Sequence, residues 1–115
     1  MDSPSILSLI TSVLDDRKAC DVTSLDIAQK SDFADVMVIA SGTSNRHVAS
    51  LAQHVISGLK SIGMEPRVEG LEVGEWVLVD AGNIIIHLFQ SEARDYYRLE
   101  KMWAVPSVST SIEPD

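Results

Sequence analysis

The stretch "ADVMVIASGTSNRHVASLAQH", residues 34–54, changes its periodicity halfway along, and that change decides the fold class. Residues 34–40 form a near-continuous apolar run of strand length, the pattern of a strand covered on both faces. Beyond Gly42, Val48, Leu51, Ala52, Val55 and Leu59 recur at helical spacing, and Gly63, with Pro66 soon after, stops that helix. A buried strand that feeds a helix through a short polar turn is the unit of a mixed α/β domain.

The turn has a structural reading and a chemical one. Thr43 or Ser44 can cap the free amides of the first helical turn, with Gly42 permitting the sharp exit from the strand. The alternative is a phosphate cradle, because helix N-termini attract anions and Arg46 lies in the first turn. One glycine is not the "GxGxxG" or "GxxxxGK[ST]" run of such loops, so the cap is the stronger reading.

Working outward, Ser3 and Pro4 open a first helix with Ile6, Leu9, Ile10, Val13 and Leu14 on one face, ending before Cys20. "DVTSLDI" (21–27) alternates only partly and reads as an edge strand beside the central one. Downstream, "PRVEGLEVGE" (66–75) is a short extended segment, and "WVLVDAGNIIIHLF" (76–89) reads as a hairpin turning near Ala81, Gly82 and Asn83. "SEARDYYRLEKMW" (91–103) predicts a third helix, with Ala93, Tyr96, Leu99 and Trp103 along one side. Its interspersed charges, such as Arg94, Asp95 and Arg98, read as surface ion pairs or as support for the end of the sheet, and point to no function. The expectation is an α/β (α+β) domain over 1–104, with a mixed sheet of about five strands flanked by helices. The serine- and proline-rich residues 105–115 are expected to form a mobile tail.

Composition narrows the function classes. With 115 residues and 45% hydrophobic content, the chain holds one core. Seventeen acidic against nine basic residues give a net charge of -8, which disfavours direct nucleic-acid contact and favours a basic partner. The single cysteine, Cys20, cannot form an internal disulfide, and an acid stands where a secretory leader would carry bases, so a cytoplasmic location is expected. No apolar run approaches the about 20 residues that span a bilayer.

The enzymatic readings are incomplete. A strand-Gly-Thr-Ser-helix turn also occurs in nucleotidyltransferases, and a related topology is compatible with the element order. Their chemistry, however, needs at least two acids converging on the metals, and the hairpin supplies only Asp80. His47 and His54 lie about 10 Å apart along one helix and cannot chelate one ion by themselves. His87 is expected to be hydrogen-bonded within or beside the sheet. A Cys20 or Ser44 nucleophile lacks any supporting motif such as "GxSxG". Neither cofactor nor metal is expected.

The hairpin offers more. Val77 and Val79 share one strand face, while Trp76, Leu78 and Asp80 share the other. Trp76 follows "EGLEVGE" and reads either as a core-rim residue or as a partner-binding anchor. Residues 65–80 hold five acids (Glu65, Glu69, Glu72, Glu75 and Asp80) against one base, Arg67, and an aromatic bordered by acids suits a basic protein surface. Pairing of two copies through this hairpin is a further reading.

Taken together, "DVMVIASGTSNRHV", "EG" at 69–70, "EWVLVDAGNIIIHLF" and "RDYYRLEKMW" stand in the order and at the spacing of the Iojap/YbeB family, the ribosomal silencing factors. The resemblance covers residues 5–104. It implies a non-enzymatic factor that binds the large ribosomal subunit through ribosomal protein number fourteen and sterically blocks the small subunit. The family's contact surface maps onto Trp76, Ala81 and Asn83, to which the acidic surroundings add Asp80, Glu72 and Glu75. Ala81 stands where some family members carry a larger aliphatic side chain, which leaves Trp76 with more of the contact.

Overall fold

The computed structural model describes residues 3–29, 32 and 34–92. Helix α1 (Ser3–Asp16) precedes strands β1 (Cys20–Asp26) and β2 (Val36–Gly42), helix α2 (Asn45–Ser61), and strands β3 (Arg67–Glu69), β4 (Trp76–Asp80) and β5 (Ile84–Gln90). The strands form one mixed sheet in the order β1-β2-β5-β4-β3. β2 and β5 run parallel, and every other neighbouring pair is antiparallel.

Parallel pairing places β2 and β5 in the sheet interior, which is why both read as apolar runs without alternation. β2 lies two residues downstream of its expected position. Its ladder opens at Val36, opposite Ile84, and runs through Ser41 and Gly42, whose polar or small side chains hydropathy does not register. β1 is the expected edge strand, with an irregularity between Cys20 and Thr23.

α1 and α2 cover one face of the sheet. Ile10 and Leu14 of α1, together with Val48, Leu51, Ala52, Val55 and Leu59 of α2, pack onto Val38, Ala40, Val77, Val79, Ile84, Ile86 and Leu88. The helical stripes select the α1 and α2 members of this set and the alternation of β4 selects Val77 and Val79, whereas β2 and β5 are apolar on both faces. Truncating one of the buried leucines to alanine costs about 2–5 kcal/mol in such a core. On the opposite face a second cluster gathers Ile27, Ala34, Met37, Ile39 and Phe89, with Leu25, Trp76 and Ile85 packed against it.

The helix ends are satisfied locally. Ser44 caps α2 by accepting from the His47 amide at 3.0 Å. At its far end Met64 N–H donates to Leu59 and Gly63 N–H to Lys60, a Schellman closure with Gly63 at φ +86. α1 closes the same way through Ala19 to Leu14 and Lys18 to Asp15, but there a lysine occupies the left-handed position, with φ 64. Gly42 departs from expectation. Its φ is not in the left-handed region, and a side chain is excluded because a Cβ would stand 2.8 Å from Val48 Cγ2. The third helix beyond residue 92 and the tail lie outside the described residues.

Candidate functional site: the outer face of the hairpin

Antiparallel pairing of β4 and β5 sets Trp76 opposite Phe89 and Leu78 opposite His87. Since directly opposed residues point to the same side, Trp76, His87 and Phe89 converge on the face turned away from α1 and α2. The Trp76 indole stacks on Phe89 with centroids 5.0 Å apart, and His87 lies nearly parallel to Phe89 at 6.1 Å. The indole N–H donates to His87 Nδ1 at 2.9 Å.

That bond fixes the histidine's state. A ring nitrogen that accepts carries no proton, so the imidazole holds its hydrogen on Nε2. Burial, at 8% residual exposure, pushes its pKa from 6.5 down to about 4. His87 is thus a neutral acceptor bonded within the sheet, as its position in the apolar strand suggests.

Trp76 is half-buried at the rim of the second cluster. The segment before it is closed by Gly74 N–H donating to the Gly70 carbonyl at 3.0 Å, and Gln90 N–H donates to the Glu75 carbonyl at 2.9 Å. Gly70 adopts φ +84, and a Cβ there would run into the Trp76 carbonyl oxygen. Glu72, Glu75 and the 68% exposed Val73 project from this loop.

The remaining candidates sit at the other end of β4, about 15 Å away at the usual strand rise. Asp80 Oδ1 accepts from Gly82 N–H at 2.9 Å and so shapes the turn. The Asn83 side is exposed, while its carbonyl accepts from the amides of Asp35 and Val36 at 2.8 and 3.2 Å. Ala81 is 5% exposed and packs with the helix-side core, on the face opposite Trp76 and Asp80. Its methyl group supports the turn from beneath. Half-buried Leu78, between Trp76 and Asp80, completes an outer stripe. The strand alternation places it on this face, but no charge or motif in the sequence marks it.

The α2 start is occupied by the chain's own groups. His47 Nδ1 accepts from Thr43 N–H at 3.0 Å, and its Nε2 lies 3.0 Å from the Arg17 carbonyl at the end of α1. The Thr43 and His47 amides, which a bound phosphate would use, therefore donate to side chains. His54 bonds the Ser50 carbonyl through Nδ1 at 2.8 Å. Among the described residues no group of three or more His, Cys, Asp or Glu could hold a metal ion, and no helix is long and apolar enough to cross a membrane.

Comparisons with known proteins give a consistent picture. The family model described as "Ribosomal silencing factor during starvation" matches residues 1–115. The chain is 47% identical over 103 residues to the ribosomal silencing factor of Zymomonas mobilis, covering 89% of this chain and 77% of that protein. It is 30% identical over 110 residues to the mouse protein named mitochondrial assembly of ribosomal large subunit protein 1, covering 92% of this chain and 48% of that one. A crystal structure from Chromobacterium violaceum superposes with a TM-score of 0.88 at 37% identity, covering 98% of this chain and 95% of that one.

Proposed function

The chain belongs to the ribosomal silencing factor family, and from that premise we propose that it binds the large ribosomal subunit and bars the small subunit from joining. In this reading it works in the cytoplasm, through a ribosomal protein of the intersubunit face, number fourteen in the family's expected contact. It acts by occupying space, with no bond made or broken.

The observation that carries the reading is the seated indole of Trp76. It is a large amphipathic side chain, half-buried and fixed by Phe89 and His87, with exposed acids at Glu72 and Glu75 beside it. A rigid aromatic anchor with an acidic border is suited to a basic protein surface. Both ends of the hairpin fit within one interface of ordinary size, so Asp80 and Asn83 extend the contact and Ala81 supports it from the helix side. The name of the mouse relative, which speaks of large-subunit assembly, points to the same partner class.

The test is co-sedimentation of the purified protein with isolated large ribosomal subunits, followed by addition of small subunits. Stoichiometric binding with loss of joined ribosomes is expected. Folded Trp76→Ala should bind more weakly by at least about 2 kcal/mol, the scale of an interface hot spot. Joined ribosomes that persist at saturating protein would overturn the exclusion mechanism.

A further inference from the structure

We propose that His87 is a positioning residue for the Trp76 anchor, holding the indole in one orientation on Phe89 so that a fixed face and edge meet the ribosomal partner. The inference rests on the binding reading above and adds a residue to it.

Three observations carry it. The bond from the Trp76 indole N–H to His87 Nδ1 is short, at 2.9 Å, and links neighbouring strands across the face where the candidate contact lies. Stacking on Phe89 at 5.0 Å restrains the indole plane but permits sliding and flipping within that plane. A single directed hydrogen bond removes that freedom, because only one indole edge carries the N–H. His87 is itself clamped, lying opposite Leu78 and Ile39 and nearly parallel to Phe89. At 8% exposure its influence on a partner passes chiefly through the indole.

The energetic logic is preorganisation. A tryptophan at an interface rim that samples several orientations loses that freedom on binding, whereas one already held does not. The acceptor at position 87 should therefore change affinity without contributing much contact area.

The experiment measures binding of isolated bacterial large ribosomal subunits to wild type, His87→Phe, His87→Asn, Trp76→Phe and the double variant Trp76→Phe/His87→Phe. His87→Phe keeps a ring and deletes the acceptor, and it should weaken binding roughly tenfold, which corresponds to about 1.4 kcal/mol. His87→Asn returns an acceptor oxygen close to the Nδ1 position and should recover most of that loss. In the Trp76→Phe background, where there is no indole N–H, His87→Phe should change nothing further. The Trp76 indole N–H resonance, identified by its loss in Trp76→Phe, should exchange with solvent faster in His87→Phe and regain protection in His87→Asn.

Wild-type affinity in folded His87→Phe, or an equal penalty with and without Trp76, would overturn the proposal. If His87→Phe does not fold, the comparison of His87→Asn with His87→Leu carries the same test. Wild-type affinity in Trp76→Ala would instead remove the anchor itself, so the two failures are distinguishable.

Discussion

His47 joins the end of one helix to the start of the other: its Nδ1 accepts from the Thr43 amide, and its Nε2 lies 3.0 Å from the Arg17 carbonyl, thirty residues earlier in the chain. With Nδ1 accepting, Nε2 carries the hydrogen and donates. Both partners are main-chain groups at positions where the helical ladders have run out. The side chain thus closes the seam between α1 and α2.

His47→Ala removes both bonds and should lower stability by about 1–2 kcal/mol, since the released groups are near water and recover part of their hydrogen bonding. Urea denaturation followed by circular dichroism reads this loss. An unchanged midpoint would show that the seam is held by the apolar contacts of the two helices alone.

Burial of His87 makes stability depend on pH. Its folded-state pKa of about 4 lies below the value of 6.5, so on acidification the unfolded chain takes up the proton first. The contribution is fully present above about pH 6.5 and is lost as pH falls through the window down to about 4. The loss should approach about 2 kcal/mol at pH 5. Across the outer face, Asp80 and Glu69 are the described acids in the neighbouring rows, and both are common to the His87→Phe variant. The difference between wild type and that variant, measured by urea denaturation at pH 7 and pH 5, therefore isolates the imidazole. Parallel stability curves would contradict a buried neutral histidine.

Much of this architecture is legible in the chain because burial follows local pattern. The α2 stripe from Val48 to Leu59 is the buried set, Ser44 is the cap, and the alternation of β4 separates Val77 and Val79 from Trp76 and Asp80. The aromatic cluster is less accessible because it depends on register. Once the turn is centred between Gly82 and Asn83, Trp76 must face Phe89 and Leu78 must face His87, but hydropathy does not reveal which histidine nitrogen receives the indole. Ala81 exposes the opposite weakness. Likeness to a family marks the position, whereas only the three-dimensional path shows its methyl group turned into the core.

Gly70 and Gly82 share φ +84 and differ in their surroundings. A Cβ at Gly82 meets nothing within 4 Å, so Gly82→Ala incurs the left-handed backbone penalty alone, about 1–2 kcal/mol. At Gly70 the same methyl also collides with the Trp76 carbonyl, and the loop must move. Gly70→Ala should therefore be the more destabilising substitution and should also weaken ribosome binding, because the displaced strand start carries the indole. Thermal unfolding of the two variants side by side decides the ranking, and equal costs would mean that the loop yields freely.

The acids beside Trp76 should act on encounter more than on the final complex. Glu72 and Glu75 are exposed, and exposed charges in high dielectric contribute little to a docked interface while steering a basic partner toward it. Neutralising both, as Glu72→Gln with Glu75→Gln, should lower the association rate with large ribosomal subunits several-fold at low salt and flatten its dependence on ionic strength, leaving dissociation nearly unchanged. Glu65→Gln removes one charge and is the matched control for each of the single variants Glu72→Gln and Glu75→Gln. The Glu72–Glu75 loop lies against the α2 start, where Gly74 meets Asn45, whereas Glu65 follows the α2 end, about 25 Å along the helix axis. Stopped-flow association at two salt concentrations reads the difference. If Glu65→Gln slows encounter as much as either single variant does, overall charge is steering the partner and the acids beside the indole hold no special place.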